Sequence, residues 1–451
     1  MKIAVIGCGL RTPLLIYGLA HSDLNDCQLV LYDIKPDRAS TMAALGRAIA
    51  TGTPLKISAA AALPDAIEDC SFVISSFRTG DMQARARDER LAFECGFAGQ
   101  ETTGPAGFAM ALRTVPIALA HARLVEQLAP EAWIISFTNP AGLVTQAVST
   151  QTSARIVGIC DTPAELFFRI SLGLNRSVKE VECNYFGLNH LGWVRGVRLD
   201  GHDVMDRILN DSGLLRSLYS AELFPPTLLR ELRLLPTEYL FFYYRQQAAR
   251  ANQASSGATR AEELVNLNEQ VIAGIESQLE RCDPEGALQA YRAYLNRRNA
   301  SYMHLEASGK SAFDQPDFDW NPFEGETGYH RIALETISAL CKSEPSRIVL
   351  NVPNQGAIDD LAREDVIEVP CWADRSGVKP LRIGQLPDAV RGLTISVKTY
   401  ERLTIEAAVQ GQRSRAILAL FMNPIVGDWD AAQNFVDRLI ASDPAHFDYL
   451  S

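Results

Sequence analysis

The sequence lacks the marks of a disulfide-stabilised, membrane-spanning or nucleic-acid-binding protein. Its nine cysteines are odd in number and show no Cys-x-x-Cys spacing, which argues against a disulfide framework and favours buried reduced thiols. No apolar run reaches the length that a membrane span needs, and Met1 leads straight into an apolar strand pattern, which leaves no room for a signal peptide. The formal net charge of -11 has the wrong sign for binding a polyanion. We therefore expect a cytoplasmic protein with no nucleic-acid or membrane partner.

What the sequence does contain is typical of a large globular protein. Its 451 residues exceed what one hydrophobic core usually organises, so we expect two domains. The predicted secondary structure changes after Cys183, from alternating strands and helices to long helical stretches. We place the boundary between residues 1–196, a dinucleotide-binding domain, and residues 197–451, a mixed domain for substrate binding and oligomerisation.

The pattern of the first half predicts the fold class. Short apolar runs, each separated from the next by a helix-like stretch, occupy residues 2–6, 28–32, 71–77, 133–137 and 155–159. This βαβ pattern is typical of a doubly wound parallel sheet. The sequence therefore predicts an α/β protein, with an N-terminal Rossmann-type sheet followed by a mixed α+β, helix-rich domain.

The first strand ends in a glycine-rich turn. Gly7 would permit the tight bend and Gly9 would let a pyrophosphate approach a helix N-terminus, but Arg11 to Pro13 replace the third glycine of the usual fingerprint. Asp33 ends the second strand, where an acid binds the ribose 2′-hydroxyl and disfavours a 2′-phosphate, so NAD is expected rather than NADP. We assign Gly7, Gly9, Arg11, Asp33 and Arg78 to cofactor binding. An ordinary tight turn and a helix N-cap at Asp33 are the alternatives.

Polar residues follow the later strands, where ligands bind in doubly wound sheets. Cys160 and Asp161 follow the run at 155–159, and His190 lies thirty residues further on. A thiolate and an imidazole are suitable ligands for one divalent ion and leave positions open for substrate oxygens. The alternative is an inert buried cysteine and a histidine satisfied within the core.

Several blocks of the sequence together resemble the family 4 glycoside hydrolases, and most closely the 6-phospho-β-glucosidases. In chain order they are Phe77-Arg78-Thr79-Gly80, Gly99-Gln100-Glu101-Thr102-Thr103-Gly104, Phe137-Thr138-Asn139-Pro140-Ala141-Gly142, Gly158-Ile159-Cys160-Asp161-Thr162-Pro163, Gly187-Leu188-Asn189-His190-Leu191, Pro236-Thr237-Glu238-Tyr239-Leu240 and Tyr400-Glu401-Arg402-Leu403-Thr404-Ile405-Glu406. The resemblance covers nearly the whole chain.

The resemblance implies an NAD-dependent hydrolysis, which differs from the usual mechanism with two carboxylates. In this family NAD oxidises the sugar at C3, the C2 proton becomes acidic, the aglycone is eliminated, water adds at C1 and the hydride returns to C3. By resemblance, Cys160 and His190 hold a divalent ion, usually Mn²⁺, and Tyr239 removes the C2 proton. The family also implies sugar contacts from Arg85, Glu101 and Asn139.

Three departures from the family pattern bear on the substrate. Asp161, expected to protonate the leaving group, stands where the β-specific enzymes tend to carry Asn and the α-specific ones Asp. The stretch at residues 305–311 lacks an Arg-Gly-Gly segment associated with the sugar 6-phosphate, although Lys310 or Arg297 and Arg298 could replace its cation. Asp81 stands where relatives usually have a second glycine.

We therefore expect a glycosidase for 6-phospho-β-glucosides that uses NAD and Mn²⁺ and forms a homodimer or homotetramer. A 6-phospho-α-glucosidase and a glycosidase for unphosphorylated sugars are alternatives within the family. Outside it stand a dehydrogenase of the lactate or malate type, which shares the fold, and a non-catalytic sensor of sugar or NAD.

Overall fold

The computed structural model describes residues 1–219, 221–308, 323, 325 and 327–450. Lys310, one of the residues expected to contact a phosphate, lies outside this part of the chain. In chain order, the described strands are β1 Lys2–Ile6, β2 Gln28–Tyr32, β3 Lys56–Ala59, β4 Phe72–Ser75, β5 Trp133–Ser136, β6 Arg155–Gly158, β7 Val181–Leu188, β8 Leu191–Leu199, β9 His202–Asp203, β10 Leu235–Pro236, β11 Ser346–Pro353, β12 Val366–Asp374 and β13 Gly377–Pro380.

The described helices surround these strands. They are α1 Thr12–Ala20, α2 Pro36–Ile49, α3 Leu63–Ile67, α4 Asp81–Glu94, α5 Gly104–Leu128, α6 Ala141–Gln151, α7 Thr162–Gly173, α8 Met205–Asn210, α9 Ser212–Ser217, α10 Pro226–Leu232, α11 Phe241–Tyr244, α12 Gln246–Ser256, α13 Arg260–Glu280, α14 Pro284–Ala300, α15 His304–Ser308, α16 Tyr329–Cys341, α17 Asp388–Gln410, α18 Arg413–Phe421, α19 Trp429–Ser442 and α20 Pro444–Phe447. Two 3₁₀ helices cover Val178–Glu180 and Glu238–Leu240.

The main sheet has the order β13-β12-β11-β6-β5-β4-β1-β2-β3. From β3 to β6 its strands are parallel, and the apolar runs that form β1, β2, β4, β5 and β6 are mostly buried, as parallel strands require, whereas the edge strand β3 is mostly exposed. The order 3-2-1-4-5-6 is that of the Rossmann fold, and it reverses direction between β1 and β4. The predicted fold class is confirmed, and this reversal creates the crevice in which the candidate site lies.

Strands from the second half of the chain extend the same sheet. β11 pairs antiparallel with β6 where Asn351 faces Gly158, and β12 and β13 continue outwards. The sheet therefore draws strands from both sides of residue 196, and the proposed division at that residue stays a prediction.

A second, smaller sheet carries one of the candidate ligands. β7 and β8 form a hairpin, and β9 and β10 both pair with β8. The turn of this hairpin contains His190, whose φ of 60° lies in the left-handed region. The hairpin thereby brings His190 to the edge of the main sheet.

Two further helical layers complete the fold. The antiparallel pair α13 and α14 packs against α2 and α4 around a second apolar cluster centred on Leu45, Ile275 and Tyr291. Helix α5 is the one described helix long and apolar enough to cross a bilayer by length and composition alone, contrary to the sequence expectation that no such segment exists. Its most apolar stretch is 67% buried, and it packs against α6 and α17, as a core helix does.

Candidate active site

The glycine-rich turn lies at the carboxyl end of β1, at the centre of the crevice. Gly7 has a φ of 91°, and a Cβ atom there would lie 2.4 Å from the Cα of Phe77. A side chain at that position would force the Phe77 backbone to shift. Gly9 faces open space, with nothing within 4 Å of a built Cβ, and helix α1 begins three residues later. The structure thus has a tight bend at Gly7 and free room at Gly9, as a bound pyrophosphate would need.

Asp33 lies beside this turn at the end of β2. One carboxylate oxygen accepts the backbone N–H of Cys8 at 2.8 Å, and the other accepts the N–H of Lys35 at 2.9 Å. Each oxygen keeps a lone pair for a ligand. The acid is therefore held in place next to the glycine turn, as predicted for a residue that contacts a ribose.

Arg11 points from the start of α1 into the crevice. Its guanidinium lies 3.8 Å from the centre of the Tyr329 ring. Burial alone would lower the pKa of Arg11, but the charges of Tyr329 and Asp161 act in the opposite direction, and the net shift is upwards. Arg11 is therefore a fixed positive charge between the glycine turn and the strand end at Asp161.

Cys160 and His190 meet directly at the carboxyl edge of β6. The Cys160 Sγ lies 3.4 Å from the His190 Nε2, and both side chains are buried. The Nδ1 atom of His190 lies 2.6 Å from the Oγ1 of Thr102. A histidine with one ring nitrogen held in this way presents the other to a metal in a fixed orientation.

Burial keeps both groups of this pair neutral. It lowers the pKa of His190 to about 3 and raises the pKa of the Cys160 thiol well above its usual range. A neutral imidazole is the form that binds metal, and a divalent ion would supply the positive charge that a Cys160 thiolate needs. The two residues therefore fit a divalent cation, although the described residues contain no group of three or more His, Cys, Asp or Glu that could hold one.

Tyr239 lies against this pair. Its ring stacks on the His190 imidazole with centroids 3.8 Å apart and planes 7° from parallel. The Tyr302 hydroxyl lies 3.2 Å from the Tyr239 hydroxyl and donates to Glu238 Oε1 at 2.9 Å. Burial and then the charge of Glu238 raise the pKa of Tyr239 well above its usual range. Tyr239 therefore becomes a base only beside an added positive charge.

Glu238 and Tyr302 were not predicted as site residues. Burial raises the pKa of Glu238 to about 7, in spite of hydrogen bonds from Tyr302 and Thr162 that favour its charged form. A carboxyl group that titrates near neutral pH is typical of functional sites. Glu238 stands in the sequence block that contains Tyr239, so the block could have revealed it, but nothing in the sequence points to Tyr302.

Asp161 follows Cys160 and is the N-cap residue of helix α7. Burial raises the pKa of its carboxyl group, and Arg11 is the strongest influence in the opposite direction. Asn139 is buried in the turn between β5 and α6, and a hydrogen bond of 2.9 Å between Ser75 and Thr138 joins the neighbouring strand ends. The structure thus brings both predicted residues to the same edge of the sheet.

Glu101 is the centre of an ion-pair network below the crevice. It pairs with Arg78 and, at 2.6 Å, with Arg85, which also pairs with Glu89 at 2.7 Å. Burial would raise the pKa of Glu101, but the two arginines hold it well below its usual range. Arg78, Arg85 and Glu101 therefore form one connected charged unit, although Arg78 was predicted to bind the cofactor and the other two the sugar.

Two of the three cations considered for a sugar phosphate lie within the described residues. Arg297 and Arg298 occupy the last turn of α14, and the Arg298 carbonyl accepts a hydrogen bond from Arg260 at 3.0 Å. Burial raises the pKa values of both Asp161 and Tyr294, and the charge of Arg298 acts in the opposite direction on each of them. Arg298 is therefore a cation that acts electrostatically on Asp161.

Comparisons with known proteins cover nearly all of the chain. The model of the family 4 glycosyl hydrolases matches residues 2–171, and the model of the family's C-terminal domain matches residues 185–426. The 6-phospho-beta-glucosidase of Escherichia coli is 30% identical, over 96% of this chain and 93% of the relative. The phospho-alpha-glucosidase PagL of Clostridium acetobutylicum is 26% identical, over 86% of this chain and 83% of the relative.

A solved structure matches the whole fold. The 6-phospho-beta glucosidase of Thermotoga maritima, in a form with manganese, NAD⁺ and glucose-6-phosphate, superposes with a TM-score of 0.82. The two chains are 25% identical, and the alignment covers 99% of each. The likeness therefore includes both the Rossmann sheet and the elements that complete the crevice.

Proposed function

The chain belongs to the family 4 glycosyl hydrolases, and from this membership we propose that it hydrolyses 6-phospho-β-glucosides by redox, elimination and addition, with NAD and a divalent cation as resident cofactors. The observation that carries the proposal is the contact of Cys160, His190 and Tyr239 beside the glycine turn. A dehydrogenase of the lactate or malate type needs neither the thiol and imidazole pair nor a tyrosine stacked on it.

The residues that would hold the cofactors fit them chemically. Gly7, Gly9 and Asp33 provide the bend, the free space and the acid that NAD requires. Cys160 with His190 provides a thiolate and an imidazole for a divalent cation, and the solved relative contains manganese. Arg11 and Arg78, assigned to the cofactor from the sequence, stand on the same edge of the sheet. When bound, NAD supplies a reversible hydride acceptor for C3 of the sugar, and the cation supplies Lewis-acid polarisation of the sugar oxygens.

Tyr239 is the base in this proposal. Its phenol oxygen takes the proton from C2 of the sugar, and the hydroxyl of Tyr302 at 3.2 Å is a neighbour able to share that proton. The raised pKa of Tyr239 means that the phenolate forms only when a positive charge lies nearby, and the stacked His190 marks where that charge would be.

Asp161 is the proposed acid on the leaving group. Burial raises the pKa of its carboxyl group, which helps it to carry a proton at neutral pH. The likeness to the Escherichia coli enzyme supports the β anomer, whereas an aspartate after the cysteine, as in α-specific relatives, supports the α anomer. A 6-phospho-α-glucosidase is therefore the second candidate, and Asp161 is the observation that favours it.

The sugar contacts are also part of the proposal. Arg85, Glu101 and Asn139 are the proposed contacts to the sugar, and Arg298 is the proposed cation for its 6-phosphate. An ion pair holds Arg85 to Glu101, and Asn139 is buried in the β5–α6 turn. A homodimer or homotetramer, which the family resemblance implies, and a cytoplasmic location complete the proposal.

A panel of four nitrophenyl glucosides tests this function, α and β, each with and without a 6-phosphate. In the presence of NAD⁺, Mn²⁺ and a reductant, we expect nitrophenol release from the 6-phospho-β compound with no net formation of NADH. Release from the α compound alone would transfer the assignment to the second candidate. Hydrolysis of none of the four, with NADH accumulating from a 2-hydroxy acid, would support the dehydrogenase instead.

The metal assignment has its own test. A chelator should abolish turnover and Mn²⁺ should restore it, whereas Cys160→Ser should not recover, because a serine hydroxyl is a poor substitute for a thiolate ligand. Titration calorimetry with Mn²⁺ measures the same difference directly as a loss of binding. Equal Mn²⁺ affinity in the two proteins would contradict the role of Cys160.

A further inference from the structure

Asp81 holds two cations next to the expected ribose position. It begins helix α4 with a φ of 59°, and its carboxylate pairs with Lys35 and, at 3.0 Å, with Arg38. Both cations belong to the segment that follows Asp33 at the end of β2 and enters helix α2. Three chain segments thus meet at this corner: the end of β2, the first turn of α2 and the start of α4.

The position of these cations matters for dinucleotide choice. An acid at the end of β2 receives the ribose 2′-hydroxyl of NAD, whereas a nearby arginine accommodates the 2′-phosphate of NADP. This chain has both kinds of group, since Lys35 lies two residues after Asp33 and Arg38 lies five residues after it. Asp33 by itself would therefore not prevent Lys35 and Arg38 from accepting a 2′-phosphate.

We propose that Asp81 is a specificity residue that excludes NADP by pairing with Lys35 and Arg38. The inference rests on the NAD site of the proposed function. An NADP phosphate could use these cations only by displacing the Asp81 carboxylate, and it would then lie beside two acids rather than one. Discrimination by such a repulsive element is a general way to achieve specificity.

The charge state of Asp81 agrees with this role. Burial would raise its pKa, but the hydrogen bond from Lys35 and the charge of Arg38 lower it overall, so the carboxylate is ionised at neutral pH. The side chains are partly exposed, 37% for Asp81, 56% for Lys35 and 24% for Arg38. Exposed pairs are individually weak, so removing the carboxylate should shift the ratio of affinities by about tenfold rather than reverse it outright.

The variant Asp81→Asn isolates the charge. Asparagine tolerates a positive φ as aspartate does, so the backbone of the turn is preserved. Its matched control is Asp206→Asn, which removes the partner of Arg233 from an exposed ion pair of 2.6 Å on helix α8. Both variants change the net charge equally, and unfolding temperatures within a few degrees of the wild type verify that each is folded.

The measurement is calorimetric affinity for NAD⁺ and for NADP⁺, without substrate, at low and high salt. We expect Asp81→Asn to tighten NADP⁺ binding about tenfold with little change for NAD⁺, and high salt to reduce the gain. Asp206→Asn should behave as the wild type. Adding Lys35→Met and Arg38→Met to Asp81→Asn should abolish the gain.

The possible failures are distinguishable. If the wild type binds NAD⁺ and Asp81→Asn leaves the ratio of the two affinities unchanged, or weakens both equally, the role of Asp81 is wrong and the NAD site stands. If the wild type binds neither dinucleotide, both the proposed function and this inference are overturned.

Discussion

The two ends of the crevice, which we call the nucleotide end and the sugar end after the ligands proposed for them, are built in different ways. At the nucleotide end, Gly7, Gly9 and Asp33 lie within 27 residues of each other and act largely through backbone shape and backbone hydrogen bonds. At the sugar end, Cys160, His190 and Tyr239 come from distant segments and act through side chains. The nucleotide end is therefore encoded locally, whereas the sugar end exists only when the chain has folded.

The two ends also differ in electrostatics. Around Asp33 and Asp81 the charged groups are partly exposed and paired. Around Tyr239 burial suppresses charge, since it lowers the pKa of His190 to about 3 and raises the pKa of Glu238 to about 7. We therefore expect the sugar end to respond strongly to pH and to an added cation. The nucleotide end should respond to charge substitutions and to salt.

The largest effect should come from Tyr239→Phe, which tests whether the two ends are separable. Loss of the phenol should lower kcat by about 10²- to 10⁴-fold, the usual contribution of a general base, and should leave NAD⁺ affinity unchanged. Turnover of the nitrophenyl substrate and calorimetric NAD⁺ binding measure the two quantities. Full activity in this variant would remove Tyr239 from the mechanism, and weakened NAD⁺ binding would show that the ends are coupled.

Glu238→Gln tests the claim that burial suppresses charge at the sugar end. The folded-state pKa of Glu238 is raised from 4.5 to about 7, so the folded protein holds the carboxyl proton more tightly than the unfolded chain does. The stability that this protonated carboxyl group contributes is fully present below pH 4.5 and is lost as pH rises towards 7. Relative to the wild type, the variant should therefore gain stability over that range, by at most about 3 kcal/mol.

Urea unfolding at several pH values between 4.5 and 7.5 measures this difference. The control is Glu222→Gln, because the Glu222 side chain is 66% exposed and should show no such slope. A constant difference between Glu238→Gln and the wild type across the range would mean that Glu238 is not held in its neutral form.

Thr102→Val should have a smaller effect, confined to the sugar end. It removes the hydrogen bond of 2.6 Å to the Nδ1 of His190 and leaves the ring free to turn away from Cys160. Partners of this kind are worth about 10- to 100-fold in metal affinity. We expect Mn²⁺ affinity to fall by about tenfold with unchanged NAD⁺ binding. Equal Mn²⁺ affinity would mean that Thr102 does not orient His190.

The variants Gly7→Ala and Gly9→Ala separate two roles of glycine at the nucleotide end, the tight bend and the free space for a ligand. Gly7→Ala forces a Cβ against the Phe77 backbone at a positive φ, so it should lower the free energy of unfolding by about 1–3 kcal/mol as well as weaken NAD⁺ binding. Gly9→Ala meets open space, so it should weaken NAD⁺ binding with little loss of stability. Equal unfolding temperatures for the two variants would contradict the distinction.

Much of the fold was predictable because strands and turns have short-range signals. The apolar runs of the first half match β1, β2, β4, β5 and β6, and the glycine turn lies where the pattern placed it. By contrast, the antiparallel strands β11 to β13 could not be assigned to this sheet from the sequence, because pairing across about 190 residues leaves no local trace. Tyr302 could not be predicted for the same reason, because it follows helix α14 and reaches Tyr239 only in the folded chain.

The sequence by itself determined the Rossmann class, the glycine turn with its acid, and, through the family blocks, the membership in the family 4 glycosyl hydrolases. The tertiary structure alone decided that His190 contacts both Cys160 and Tyr239 and that the pKa of Glu238 is raised to about 7. It also decided that Asp81 forms ion pairs with Lys35 and Arg38, the cations that follow β2. The physical reason is that backbone conformation depends on neighbouring residues, whereas burial and charge pairing depend on what the fold brings together from far along the chain.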